Sequence, residues 1–93
     1  MKRKEILDKA KEIVTGARET TYGSPEDSFA TIAGLWGSYL GLHISSKDVA
    51  MLMVLLKVAR SKGDARYDDN YVDIAGYAAC AGELTDANEC SDS

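Results

Sequence analysis

Apolar residues fall into four blocks along the chain, each with helical spacing. Ile6, Leu7, Ala10, Ile13 and Val14 recur every three or four residues with Lys and Glu between them. This predicts a first amphipathic helix that stops near Gly16. Arg18 to Gly23 reads as a loop, because Thr20 and Thr21 are poor helix formers and Gly23 tolerates positive φ. Ser24 can then cap a second helix, Pro25 suits its first position, and Glu26 and Asp27 complement the positive end of its dipole. Phe29, Ile32, Ala33, Trp36, Tyr39 and Leu40 form its stripe, and Gly41 closes it. After Leu42 to Ile44, Ser45 and Asp48 have capping-box spacing, so a third helix runs to about Lys62 with Gly63 as its stop. A polar loop from Asp64 to Asp68 leads to a fourth helix that begins at Asp69 or Asn70 and carries Ile74, Ala75, Ala78, Ala79, Ala81 and Leu84.

Val49 to Leu56 is apolar at every position, and a helix without a polar face has to be wrapped by its neighbours. The third helix is therefore expected at the centre. Short connections predict an all-α, antiparallel four-helix bundle in up-and-down succession, with residues 1–84 as one domain. Small residues on the fourth helix, Gly76, Ala79 and Ala81, predict close packing against the central helix or a partner subunit. From Thr85 the chain is short of large apolar groups, so 85–93 is expected to be a disordered acidic tail. One thin bundle can scarcely bury both the octad and the Ala/Gly face, which predicts a homo-oligomer.

Composition narrows the classes without choosing among them. With 93 residues, 45% hydrophobic and 28% charged, the chain is an ordinary globular domain. A net charge of -4 argues against duplex nucleic acid and anionic membranes as partners. The start of the chain lacks the contiguous apolar stretch of a signal peptide, and the octad is too short to span a bilayer. Cys80 and Cys90 have neither disulfide-framework nor metal-ligand spacing, so a reducing cytoplasm is expected.

Candidate chemistry lies where the third helix ends and the fourth begins. Lys57 and Arg60 stand one turn apart before a segment rich in aspartate and tyrosine. Cations in a last turn complement the helix dipole whatever the function, yet the same pair on a rigid helix suits phosphate. Asp48 and Asp73 follow Ser45 and Asn70 by three residues, so both are explained as capping-box partners. Arg18 and Tyr22 read either as an anchored loop or as a phosphate contact with a ring for a base to stack on. Trp36 sits on a core stripe, and His43 stands alone. No Ser-His-Asp set, phosphate-binding Gly loop or cysteine cluster is present.

Several spaced groups together resemble a family of small phage and prophage proteins of unassigned function. They are Arg18-x-x-x-Tyr22-Gly23, Phe29 to Leu40, Asp48-Val49-Ala50, Lys57 to Arg60, and Asp69 to Tyr77. A more distant resemblance is to the MazG-like and dUTPase-like all-α nucleoside triphosphate pyrophosphohydrolases. These bind Mg²⁺ through E-x-x-E on one helix and E-x-x-D on the next. On this chain the two motifs fall on Asp48-x-x-Met51 and Asn70-x-x-Asp73, so two carboxylates are missing. A thioether is no ligand for a hard cation, and an amide is a weak one.

Three functions follow as expectations. The first is a phage-type protein that sequesters a nucleotide or cyclic nucleotide, acting against host defence. It requires no cofactor, and Arg18, Tyr22, Lys57, Arg60, Asn70 and Tyr71 are its contact residues. The second is a Mg²⁺-dependent MazG-like pyrophosphohydrolase with Asp48, Asp69 and Asp73 on the metal. The third is a structural or host-factor-binding helical module. The acid count at Met51 and Asn70 favours binding over hydrolysis.

Overall fold

A computed structural model describes residues 1–16 and 25–87. They form four helices and no strand: α1 (Arg3–Thr15), α2 (Pro25–Leu40), α3 (Ser46–Gly63) and α4 (Asp68–Ala87). The expected loop at Arg18 to Gly23, the Ser24 cap and residues 88–93 of the expected tail lie outside the described residues. Thr85 to Ala87, expected as the start of that tail, belong to α4.

The helix limits follow local chemistry. Ser45 caps α3: its side chain accepts the Asp48 N–H at 3.0 Å while the Asp48 carboxylate accepts the Ser45 N–H at 2.9 Å. Two donors at the start of the helix that have no partner within it are thereby satisfied reciprocally. Gly41, with φ of +69°, ends α2 in the left-handed conformation that a β-carbon disfavours. At the start of α4, Asp68 and Asp69 occupy the first turn, so that helix begins earlier than the expected Asp69 or Asn70. This shift removes Asp73 from the third position, and its expected role as a capping-box partner is not the one it plays.

The three extensive helix contacts are α3 with α4, α1 with α4, and α2 with α3. Lys57 meets Asp73, whereas Val49 and Ala50 share a cluster with Cys80, Ala81 and Leu84, so α3 and α4 run antiparallel. Phe29 and Ala33 of α2 complete that cluster, and Phe29 reaches the Tyr77 ring with centroids 6.0 Å apart. Trp36, Ile44 and Met53 pack at its margin, which places Trp36 against the core as expected. Burying side chains the size of Phe29, Val49 or Leu84 contributes about 1.5–3 kcal/mol each.

Three expectations about packing are corrected. The amine of Met1 reaches Asp68 at 3.1 Å, while Val14 lies beside Gly76. Thus α1 and α4 point the same way, and strict up-and-down alternation is not kept. A β-carbon at Gly76 would stand 3.2 Å from Val14 Cγ1, so the missing side chain serves contact with α1, not with the central helix. The octad is also only half wrapped. Val49 and Ala50 are fully buried and Met53 and Val54 partly so, while Met51, Leu52, Leu55 and Leu56 are exposed. Among the described residues, no helix is long and apolar enough to cross a membrane.

Candidate functional site

The corner between α3 and α4 draws together most of the residues singled out from the sequence. Antiparallel packing brings the last turns of α3 against the first turns of α4, so Lys57 and Asp73 meet. Lys57 Nζ lies 3.0 Å from Asp73 Oδ2, with 15% and 23% of the two side chains exposed. This partial burial shields the pair from solvent, which strengthens its Coulomb attraction over that of a surface pair. Arg60, one turn further along α3, is exposed.

The linker between the helices is tied down by its own hydrogen bonds. Asp64 N–H donates to the Arg60 carbonyl at 2.9 Å and ends α3, and Arg66 N–H donates to the Asp64 carboxylate at 3.3 Å. Tyr71 reaches back from α4, its hydroxyl donating to the Ala65 carbonyl at 2.8 Å. Tyr67, at the tip, hydrogen bonds to the Asp69 carboxylate. That bond, reinforced by the negative charge of Asp69, raises its phenol above the ordinary value of 10.0, and the nearby Lys57 charge opposes the shift. Tyr67, Asp69, Asp73 and Lys57 therefore form one electrostatic group. Asn70, in the first turns of α4, is the only polar side chain in the buried set of the described residues.

Of the expected ligand contacts, the structure thus joins Lys57, Arg60, Asn70 and Tyr71 at one corner. Three of the four already hold the fold: Lys57 in an ion pair, Asn70 by burial, and Tyr71 by bracing the linker. Arg18 and Tyr22 lie outside the described residues. Tyr67 and its bond to Asp69 were missed, although Tyr67 opens the acidic and aromatic segment that the sequence marks out.

The expected metal set is not brought together. Asp48 caps the start of α3, nine residues from Lys57, which at 1.5 Å per residue is about 13 Å along the axis from the level of Asp73. No group of three His, Cys, Asp or Glu among the described residues is placed to hold a metal ion. Mg²⁺ bridging substrate phosphates needs several carboxylates at one point, and Asp48 does not join Asp69 and Asp73. The residues do not fit the ion.

A groove lies at the other end of α3. Its lining includes Gly34, Gly37 and Gly41, the loop residues Leu42 and His43, and Ser46 and Lys47, around a cavity volume of about 790 Å³. That is within the range of small-molecule sites. Gly37 lets the loop close on α2: a β-carbon there would come within 2.7 Å of the Leu42 carbonyl oxygen, whose residue donates its N–H to the Gly37 carbonyl. The sequence signal was the Gly34, Gly37, Gly41 spacing, which the apolar stripe overshadowed. The groove and the cationic corner are different places.

Comparison with known proteins fits this helical unit into a group. The family described as "Domain of unknown function (DUF6378)" matches residues 5–85, nearly the whole chain. The chain belongs to the DUF6378 family. Two mycobacteriophage relatives, each called "Gene 55 protein", are similar to it. That of phage D29 is 48% identical over 54 residues, covering 58% of this chain and 36% of the relative. That of phage L5 is 50% identical over 48 residues, covering 50% of this chain and 31% of the relative. The match thus spans about a third of the length of these curated relatives. The kinship with phage proteins implied by the sequence is found at this level. No solved structure matches this DUF6378 chain significantly.

Proposed function

We propose that the chain is a phage protein that binds a nucleotide or cyclic nucleotide in the host cytoplasm and holds it without turning it over. One observation carries this reading: Lys57 lies near Tyr67 at the α3–α4 corner, with Arg60 exposed one turn further along α3, while Asp48 at the start of α3 is remote from Asp69 and Asp73 on α4. A phosphate arriving at the corner takes the place of Asp73 on Lys57, exchanging one anion for another, and gains Arg60 as a second cation. The Tyr67 ring offers a base a surface to stack on. The scaffold on this reading is MazG-like, with Met51 and Asn70 marking lost metal ligands. Sequestering a nucleotide signal from host defence needs affinity and no chemistry, and the phage relatives support that setting.

The test is a thermal-shift screen of nucleotides and cyclic nucleotides in EDTA, followed by chromatography of the ligand recovered from the protein. A ligand at a hundredfold excess over Kd adds about 2.7 kcal/mol to stability, enough to raise Tm by roughly 11–22 °C in a domain of this size. The expected result is such a rise with the ligand recovered unchanged. A screen in which no nucleotide raises Tm, or pyrophosphate release once Mg²⁺ is supplied, contradicts the reading.

A further inference from the structure

The half-wrapped octad carries an inference that does not depend on any small ligand. On the outward side of α3, Asp48, Met51, Leu55, Val58 and Lys62 follow one another at alternating intervals of three and four residues, with Leu52 beside them. That alternation is the seam of a two-stranded coiled coil. Its apolar members are bare in the single chain: Met51 is 43% exposed, Leu55 59% and Val58 47%. Their neighbours Val49 and Ala50, on the opposite side of the same helix, are fully buried. The helix therefore has one face committed to the core and a second apolar face that stays largely exposed.

Charge at the ends of the seam identifies what covers it. Asp48 begins it and Lys62 ends it, both exposed, and Leu55 lies midway between them. We propose that the α3 face of a second copy packs here, antiparallel, with the two-fold axis at Leu55. Leu55 then meets its own counterpart, Met51 meets Val58, and Asp48 of each copy faces Lys62 of the other. Parallel pairing would stack Asp48 on Asp48 and Lys62 on Lys62, and like charges at both ends oppose it. Asp48 and Lys62 are equidistant from Leu55, whereas Met51 and Val58 interleave with a stagger of about one residue, roughly 1.5 Å, so the charged ends match only in the antiparallel two-fold arrangement. Its four turns bury on the order of 1,000 Å² in total, at the lower limit for a specific contact, so the dimer dissociates on dilution.

The full chain has a mass of 10.0 kDa, so sedimentation from micromolar to submillimolar concentration distinguishes monomer from dimer. The expected result is a dimer that Leu55→Asp converts to a monomer with its helical circular dichroism retained. Loss of helicity in that variant is met by cysteine cross-linking in a Cys90→Ser background. Leu55→Cys should form a disulfide across the axis, and Asp48→Cys with Lys62→Cys should join the two copies, whereas either of these alone should not. A wild-type monomer at every concentration overturns the proposal. So does a dimer indifferent to Leu55→Asp, a Leu55→Cys chain that fails to cross-link, or cross-linking by Lys62→Cys alone, which indicates parallel helices. Capture of an unrelated protein on this face by a wild-type chain that stays monomeric also overturns it.

Discussion

Asp48 and Asp73 show how the same short spacing leads to different roles. Both follow a residue able to cap by three positions, but only Asp48 closes a capping box, because α3 begins after Ser45 whereas α4 begins at Asp68, ahead of Asn70. Ser45→Ala should cost about 0.5–2 kcal/mol of stability in denaturant unfolding, the range for a lost N-cap. Asn70→Ala tests a buried polar group instead of a cap. Tyr67 makes a second prediction at this scale. Its raised phenol comes first from the bond to Asp69, so Asp69→Asn should bring its ionisation back toward the ordinary value. Ultraviolet titration, with Tyr67→Phe subtracted, reads it directly. The sign is that of a group whose native value is raised: the contact favours the folded state below the unfolded phenol value, and the gain is lost as pH rises through the native one. Tyr67 is exposed, so the spectral shift is the observable, not the melting curve.

At the scale of the elements, sequence pattern and structure agree on where helices stop and differ on what they touch. Pro25, Gly41, Ser45 and Gly63 were legible as punctuation because each acts through its own backbone or its nearest neighbours. The direction of α1 was not legible, since it is set by Val14 against Gly76 and by the Met1 amine at Asp68, contacts between distant parts of the chain. Gly76→Leu should therefore release α1 from α4 and lower stability by about 1–3 kcal/mol, the usual cost of overpacking. Gly34→Ala, with open space around it, should cost no such penalty. The pairing of α3 with α4 rests on Lys57 and Asp73 as well as on apolar packing. Lys57→Met leaves a shielded carboxylate without its partner and should cost about 1–3 kcal/mol, while Lys57→Met combined with Asp73→Leu should recover most of that loss. Chemical denaturation of the three variants measures the coupling.

For the molecule as a whole, the apolar octad was read as central and enclosed, whereas α3 shares the middle with α4, on which α1 packs, and leaves half of the octad exposed. Hydropathy along a chain records that a residue avoids water. It does not record whether its own chain or another supplies the cover, and α3 divides its apolar residues between the two sides. The candidate site was legible to a similar degree. The cations and tyrosines at the α3–α4 corner were found from spacing, but the structural work that Lys57, Asn70 and Tyr71 do there is visible only in three dimensions. This makes Arg60 the cleaner probe of ligand binding, because it is exposed and its loss disturbs little beyond the end of α3. Calorimetric titration of a nucleotide identified by thermal shift, compared across Arg60→Ala, Asp73→Asn and Lys47→Ala, tests the central claim most directly. The account predicts that Arg60→Ala weakens binding by about 1.5–3 kcal/mol, roughly ten- to hundredfold in Kd. It also predicts that Asp73→Asn, by releasing Lys57, tightens binding, and that Lys47→Ala leaves it unchanged. Affinity that survives Arg60→Ala and Asp73→Asn but is lost in Lys47→Ala would place the ligand in the α2–α3 groove and contradict the account.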